Sequence, residues 1–184
     1  DFSADKCEKV YNWSEMSHKQ YNMSLISEDV NYYAHQYNES DRDRKIITIL
    51  DSTLREGEQH PGVSFTTKQR IQIAWMLDSF GVDQIEISPV ISNDHLLSTK
   101  TIIKQGLRAD ILAHVRATKS DVDIAISCGA TWVATYMGIS DIHLSTKLKI
   151  TREEAKIRAL EVADYIKAHG LKARFTMEDA SRTE

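Results

Sequence analysis

The chain has 184 residues, 41% hydrophobic and 27% charged, with a formal net charge of -4. That is enough apolar material for one sizeable core, or one domain with an appendage, and the acidic balance argues against a general affinity for nucleic acid or anionic membrane. No run approaches the ~18 apolar residues of a membrane span, and no apolar segment follows a basic start as in a secretory signal, so a cytoplasmic or organelle-matrix protein without nucleic-acid or membrane partners is expected.

Residues 1–45 contain five of the seven tyrosines and none of the glycines or prolines. With no long hydrophobic period, they predict an N-terminal extension of low order or short helices. Val30, Tyr33, Ala34 and Tyr37 fall at helical spacing, which allows one short amphipathic helix there. Of the two cysteines, Cys7 lies in this extension and Cys128 near the end of a later helical pattern. Their separation fits no metal site, so both read as reduced thiols, Cys128 as a small buried hydrophobe.

From Lys45 onward short apolar runs alternate with amphipathic stretches. Strands are predicted at Ile46–Leu50, Gln84–Ser88, Asp110–Val115, Trp132–Met137 and Ala173–Met177. A helix over Thr67–Phe80 opens with a capping-box pattern, Thr66 to Gln69, and closes at Gly81. Others are predicted over Asn93–Gln105, stopped by Gly106; over Ser120–Cys128, stopped by Gly129; and from Thr151, with Glu154 completing its capping box, to Gly170. Repeated strand–helix units imply parallel strands and an α/β architecture. No Gly-x-Gly-x-x-Gly follows any strand, which removes the best sign of a dinucleotide-binding sheet. Polar residues instead collect at the C-terminal ends of the strands, where barrel enzymes place their chemistry.

Those ends carry Asp51, Arg55, Glu56 and Gln59 after the first strand, Glu86 and Ser88 after the second, and His114 and Arg116 after the third. Thr135 and Tyr136 follow on the fourth, and Arg174, Thr176, Glu178 and Asp179 on the fifth. Arginines suit a carboxylate substrate, which a guanidinium grips with two prongs; carboxylates beside them suit a hard divalent cation. Together they point to enolate or 2-oxo acid chemistry in which a metal polarises a carbonyl. Singly, each has a plainer role: Asp51 as a turn cap, Arg55 and Glu56 as a surface pair, His114 as a core histidine. Lys147, Lys149 and Arg152 read as the solvated start of a helix, or as a contact for a phosphate of a large anionic substrate.

The segment Asp51-Ser-Thr-Leu-Arg-Glu-Gly-Glu-Gln59 closely resembles the signature at the end of the first barrel strand in the homocitrate synthase and 2-isopropylmalate synthase family of acyl-CoA-condensing enzymes. Pro61–Phe65, Gly81–Glu86, Gly138–Leu144 and Arg174–Arg182 extend the resemblance across about residues 45 to 184. It implies the first five strand–helix units of a (β/α)8 TIM barrel over residues 46–184. Isopropylmalate synthases usually carry Arg-Asp where this chain has Arg55-Glu56, so the resemblance leans to homocitrate synthase, with 2-isopropylmalate or citramalate synthase as alternatives. Ser140-Asp141-Ile142-His143-Leu144 leans the same way, while Ser88-Pro89-Val90 departs from the Ala-Gly-x-Pro pattern common in many relatives and is carried by some homocitrate synthases.

The implied reaction condenses acetyl-CoA with a 2-oxo dicarboxylic acid, 2-oxoglutarate, at a divalent metal (Mg2+, Mn2+ or Zn2+). By the same resemblance Glu56 is a metal ligand and Arg55 the catalytic arginine beside the ketone oxygen. Gln59 and Glu86 face the substrate, and His114, Arg174 and Thr176 grip the 2-oxo acid with Glu178 beside them. The family completes its metal site with a His-x-His pair on the seventh strand, and no two of the seven histidines here have that spacing. The chain also starts without methionine, so it is expected to be the first part of a longer enzyme, or one half of a split one. The complete enzyme is expected to be a homodimer, and the isolated chain inactive. A non-catalytic half-barrel scaffold is the reading from a different class.

Overall fold

Strands and helices alternate throughout residues 47–183, the part of the chain that the computed structural model describes. The predicted extension over residues 1–45, its helix near Val30–Tyr37, Cys7 and the first residue of the predicted first strand lie outside the described residues. The elements are β1 (Leu50–Asp51), α1 (Thr67–Phe80), β2 (Gln84–Ile87), α2 (Asn93–Lys104), β3 (Asp110–Arg116), α3 (Lys119–Ser127), β4 (Trp132–Gly138), α4 (Arg152–Ala168) and β5 (Lys172–Glu178).

Helix starts are set by side chains that satisfy otherwise orphaned backbone donors. At α1 the Thr66 hydroxyl accepts from Gln69 N, and the Gln69 carboxamide oxygen accepts from Thr66 N at 2.8 Å. Thr151 and Glu154 make the same reciprocal pair at α4, while Ser92 and Thr118 cap α2 and α3. Gly81 ends α1 in the left-handed region, φ 97°, where a Cβ would be strained.

All the strands are parallel, and their order in the sheet is β1-β2-β3-β4-β5. Doubly wound sheets reverse their strand order at a switch point. An unreversed order with a helix between successive strands is instead the wall of a barrel, and this chain forms the first five strands of a (β/α)8 barrel with four of the helices that cover it.

The first strand differs from its prediction. It is only Leu50–Asp51, and Ile47 and Ile49 are 80% and 52% exposed. β1 has a single neighbour in the described sheet, so side chains ahead of Leu50 have nothing to pack against on the open side. Asp83 and Gln84 still donate their N–H groups to Ile49 O, and Ile49 N donates to the Asp83 carboxylate at 2.7 Å.

Register places the chemistry. Glu86 pairs with Leu112, His114 with Ala134, Ala134 with Arg174, and Tyr136 with Thr176. Partners in a parallel ladder share a face and side chains alternate along a strand. Glu86, His114, Tyr136, Arg174 and Thr176 therefore stand on one face. Ile85, Ile87, Ile111, Ala113, Val115 and Val133 stand on the other, packed against Ala74 of α1, Ile102 of α2, Val122 and Ala125 of α3, and Val162 and Ile166 of α4. Each fully buried isoleucine or valine there contributes about 1.5–3 kcal/mol. The helix layer thus takes the apolar face and leaves a polar face toward the barrel interior. Cys128 is buried, and burial pushes its thiol up, away from the reactive thiolate.

Candidate active site

The turn after β1 is built by its own backbone. Ser52 O accepts the N–H groups of Arg55 (3.0 Å), Glu56 (2.7 Å) and Gly57 (3.3 Å). The Asp51 carboxylate accepts Thr53 N at 2.8 Å and the Thr53 hydroxyl at 3.2 Å, so Asp51 shapes the turn, as its plainer sequence reading had it. Leu54, 0% exposed, anchors the turn in the core. Glu58 anchors it a second time: its carboxylate accepts Nε and NH2 of Arg70 at 2.8 Å each and Phe65 N at 3.1 Å. With both ends tied, Arg55, Glu56 and Gln59 are carried outward; Gln59 is exposed and the Glu56 side chain is 60% exposed.

Glu86 is the centre of the polar face and is 0% exposed. Its Oε2 accepts from the Ser52 hydroxyl and from Arg55, Nε at 2.8 Å and NH2 at 2.7 Å. Its Oε1 has no hydrogen-bond partner among the described residues, and Arg174 NH1 stands 3.9 Å from it. Burial alone would push this carboxyl up. The hydrogen bonds from Ser52 and Arg55 and the charges of His114 and Arg55 outweigh it and hold Glu86 below the usual carboxylate range. His114 lies flat against Tyr136, ring centroids 4.7 Å apart and planes 2° apart. Burial, joined by the charges of Arg55 and Arg174 and opposed by Glu86, depresses its pKa.

Further round the sheet, the buried Thr176 Oγ1 is unpartnered among the described residues. Glu178 Oε2 turns toward the β4–α4 loop, 3.5 Å from His143 Nδ1 and 3.4 Å from Lys147 Nζ. That loop includes a π-helical turn, His143–Leu148, of the kind common at functional sites.

Arg55, Glu86, His114 and Arg174 are thus one cluster, with Glu56 on its Arg55 side and Thr176 and Glu178 following Arg174 along β5. Several strand-end residues do not join it. Thr135 sits on the helix-facing side, paired in register with Val115 and Phe175. Arg116 is held by Asp121 at 2.7 and 2.9 Å, and Arg152 by Asp141 at 2.8 Å. Ser52 and His143 stand inside motifs of the resemblance but are given no role there: a serine inside a charged motif gives no sign of which carboxylate it will meet. Gly138, in the same block as His143, adds a steric signal, because a Cβ there would overlap the imidazole ring. A cleft lined by Asp78, Asp83, Arg108, Asp110 and Trp132 lies at the opposite, N-terminal ends of the strands, away from this cluster.

A divalent metal would find only part of a site. No group of three or more His, Cys, Asp or Glu among the described residues is placed to hold one. Glu56 is an exposed carboxylate already paired with Arg55. A hard divalent cation needs several oxygen or nitrogen ligands, so the described residues fit a single ligand and not a complete metal centre.

Five consecutive parallel strands in unreversed order, with a polar cluster at their C-terminal ends, define the first part of a (β/α)8 barrel. Crystal structures of the HMG-CoA lyase of Bacillus subtilis (TM-score 0.59, 21% identity, 71% of this chain and 46% of that one) and of hydroxymethylglutaryl-CoA lyase from Pseudomonas aeruginosa (TM-score 0.59, 18% identity, 71% and 45%) share this fold. The HMGL-like family profile matches residues 46–184, and the chain belongs to that family.

Among curated relatives, it is 48% identical over 139 residues to homocitrate synthase AksA of Methanothermobacter thermautotrophicus, covering 75% of this chain and 36% of that protein. It is 46% identical over 137 residues to homocitrate synthase of Pyrococcus abyssi, covering 74% and 38%. The match to homocitrate synthase of Sulfurisphaera tokodaii is 47% over 143 residues, covering 75% and 31%. The chain spans roughly a third of the length of these relatives.

Proposed function

We propose that this chain supplies the first part of the active site of a homocitrate synthase, which joins the methyl carbon of acetyl-CoA to the keto carbon of 2-oxoglutarate. The methyl group loses a proton, the enolate carbon bonds to the ketone, the ketone oxygen takes up a proton, and water releases CoA from the thioester. The observation that carries this reading is the pair of guanidinium groups, Arg55 and Arg174, flanking the buried Glu86 at the mouth of the half-barrel.

Arg55 is the catalytic group. Its fork is fixed by Glu86 and Glu56, so it meets the charge that develops on the ketone oxygen without having to reorganise. Arg174, His114 and the Thr176 hydroxyl, unpartnered among the described residues, line the same face and bind the dicarboxylate 2-oxo acid, with Glu178 and Gln59 at the edges. Glu86 orients Arg55 and faces the substrate. Glu56 contributes one ligand to a divalent metal that, when bound, polarises the carbonyl; the other ligands, the base and the acetyl-CoA site belong to parts of the enzyme beyond these residues. A cytoplasmic homodimer is part of the proposal. The 44–48% identity to homocitrate synthases supports the choice of 2-oxo acid.

The test is CoA release by the full-length protein from acetyl-CoA with 2-oxoglutarate, 2-oxoisovalerate or pyruvate in the presence of a divalent metal. Preference for 2-oxoglutarate is expected. Preference for one of the others moves the protein to 2-isopropylmalate or citramalate synthase, and no release with any of them leaves the scaffold reading.

A further inference from the structure

Glu58, two residues beyond Glu56, points away from the substrate face and is buried, its side chain 6% exposed. It meets two helices at once. Arg70 of α1, 4% exposed at its side chain, grips it with two nitrogens at 2.8 Å, and His95 of α2 presents Nε2 3.4 Å from Oε2. His95 is oriented from behind, its Nδ1 lying 2.8 Å from the Ser92 hydroxyl that also caps α2. Phe65 N, at the far end of the same loop, donates to the other Glu58 oxygen at 3.1 Å. One carboxylate therefore joins the turn after β1, the residue just ahead of the α1 cap, and the bodies of α1 and α2.

We propose that Glu58 is a positioning residue: tethered by Arg70, His95 and Phe65 N, it fixes the Arg55–Gln59 turn over the mouth of the barrel and so sets where Arg55 and Glu56 stand. Leu54 holds the start of the turn by apolar burial and Glu58 holds its end by directional bonds. Between the two anchors the backbone is held by the N–H groups of Arg55, Glu56 and Gly57 on Ser52 O and by Gln59 N on Glu56 O at 3.0 Å, and the Arg55 side chain by Glu86. A two-pronged guanidinium–carboxylate contact supplies the directional restraint that apolar packing lacks. Tolerances at reacting centres are of the order of an ångström, so a turn that keeps its fold but loses this tether places Arg55 wrongly. This inference rests on the proposed synthase activity for its kinetic arm only.

The experiment uses the full-length protein with Arg70→Lys, which keeps the charge but not the fork, and Glu58→Gln as the stronger variant. Amide hydrogen exchange over residues 51–66 and thermal melting are measured beside kcat and KM for 2-oxoglutarate. Arg70→Lys is expected to raise exchange in this segment by tenfold or more while exchange in β3 and β4 stays the same, and to lower kcat about tenfold with KM for 2-oxoglutarate changed less than threefold. Unchanged exchange over 51–66 in a folded Arg70→Lys protein overturns the proposal, as does a uniform rise across the whole sheet, which marks a merely structural pair. If Glu58→Gln does not fold, the Arg70→Lys result decides alone. If the wild type shows no synthase activity, the exchange result still decides the tether, and the failure belongs to the functional reading.

Discussion

Arg55 meets Glu86 through two nitrogens, Nε at 2.8 Å and NH2 at 2.7 Å, and both fall on the same carboxylate oxygen, Oε2. The third nitrogen, NH1, is left for Glu56, and the second Glu86 oxygen faces Arg174. One buried carboxylate therefore orients one arginine fully and stands 3.9 Å from a second, while Glu56, 60% exposed, pairs with the remaining Arg55 nitrogen from the solvent side.

Glu86→Gln is expected to cost both stability and activity. The amide keeps the shape but removes the charge from beneath Arg55, and breaking a buried pair from one side costs about 3–5 kcal/mol. The lower end applies here, because the Arg55 side chain is 21% exposed and water can reach it. Chemical denaturation of wild type and variant measures this directly, and a loss below about 1 kcal/mol would show that the pair is not the pivot of the cluster.

Glu56→Gln probes the reaction with little change of fold, since its side chain is 60% exposed, whereas Arg55→Lys keeps the positive charge beside Glu86 and loses the fork. A lysine cannot fork between Glu86 and the ketone oxygen, and losing one preorganised donor to a developing oxyanion costs about 10²–10³ in kcat. Glu56→Gln is expected to weaken metal activation and to leave the melting temperature within a degree or two. Steady-state kinetics against metal concentration checks both; an unaltered Glu56→Gln enzyme would remove Glu56 as a metal ligand.

The architecture was legible because each helix carries a start signal, a stop glycine or both, and each strand a β-rich apolar run. Thr66–Gln69 and Thr151–Glu154 form the reciprocal caps that their spacing predicts, and the strand boundaries from β2 onward move by only a residue or so. β1 was overread because burial of Ile47 and Ile49 depends on what lies beside the strand, and periodicity does not report that. That Arg55, Glu86, His114 and Arg174 come together was legible because polar groups at the ends of consecutive parallel strands share one rim. Ser52 and His143 escaped because their meaning lies in partners 34 residues away, in the Ser52–Glu86 bond, and in the bare backbone of Gly138. Thr135 was misplaced by one step of the strand alternation, which sends a side chain to the opposite face.

Acid is expected to destabilise the protein in two stages. His114 has a folded-state pKa depressed chiefly by burial, with Arg55 and Arg174 adding to the effect and Glu86 and Glu56 opposing it. Its contribution is complete above the unfolded value, about 6.5, and is lost as pH falls from there through the lowered folded value. Glu86 is also depressed, so its contribution is complete above about 4.3 and is lost below that, as pH falls through its own folded value. Melting temperature measured from neutral pH downward should decline through both windows. His114→Gln should reduce the upper slope and leave the lower window, the rest of the upper slope coming from His95, whose pKa burial also lowers; an unchanged upper slope in that variant would remove His114 as a source.

Gly138→Ala tests the β4–α4 loop. Gly138 ends β4 opposite Glu178 in the register, and its missing side chain is the space in which the His143 ring lies. Its need for glycine is therefore steric and not conformational, because its φ is not in the left-handed region. A methyl group must push His143 outward, separating it from Glu178 and disturbing the π-helical turn that presents Lys147. Overpacking of this kind costs about 1–3 kcal/mol. A double variant with His143→Ala vacates the clashing space and should recover most of the stability lost by Gly138→Ala alone. Denaturation midpoints of the two single variants and the double variant measure the coupling: strict additivity would mean that the ring and the glycine do not share this space.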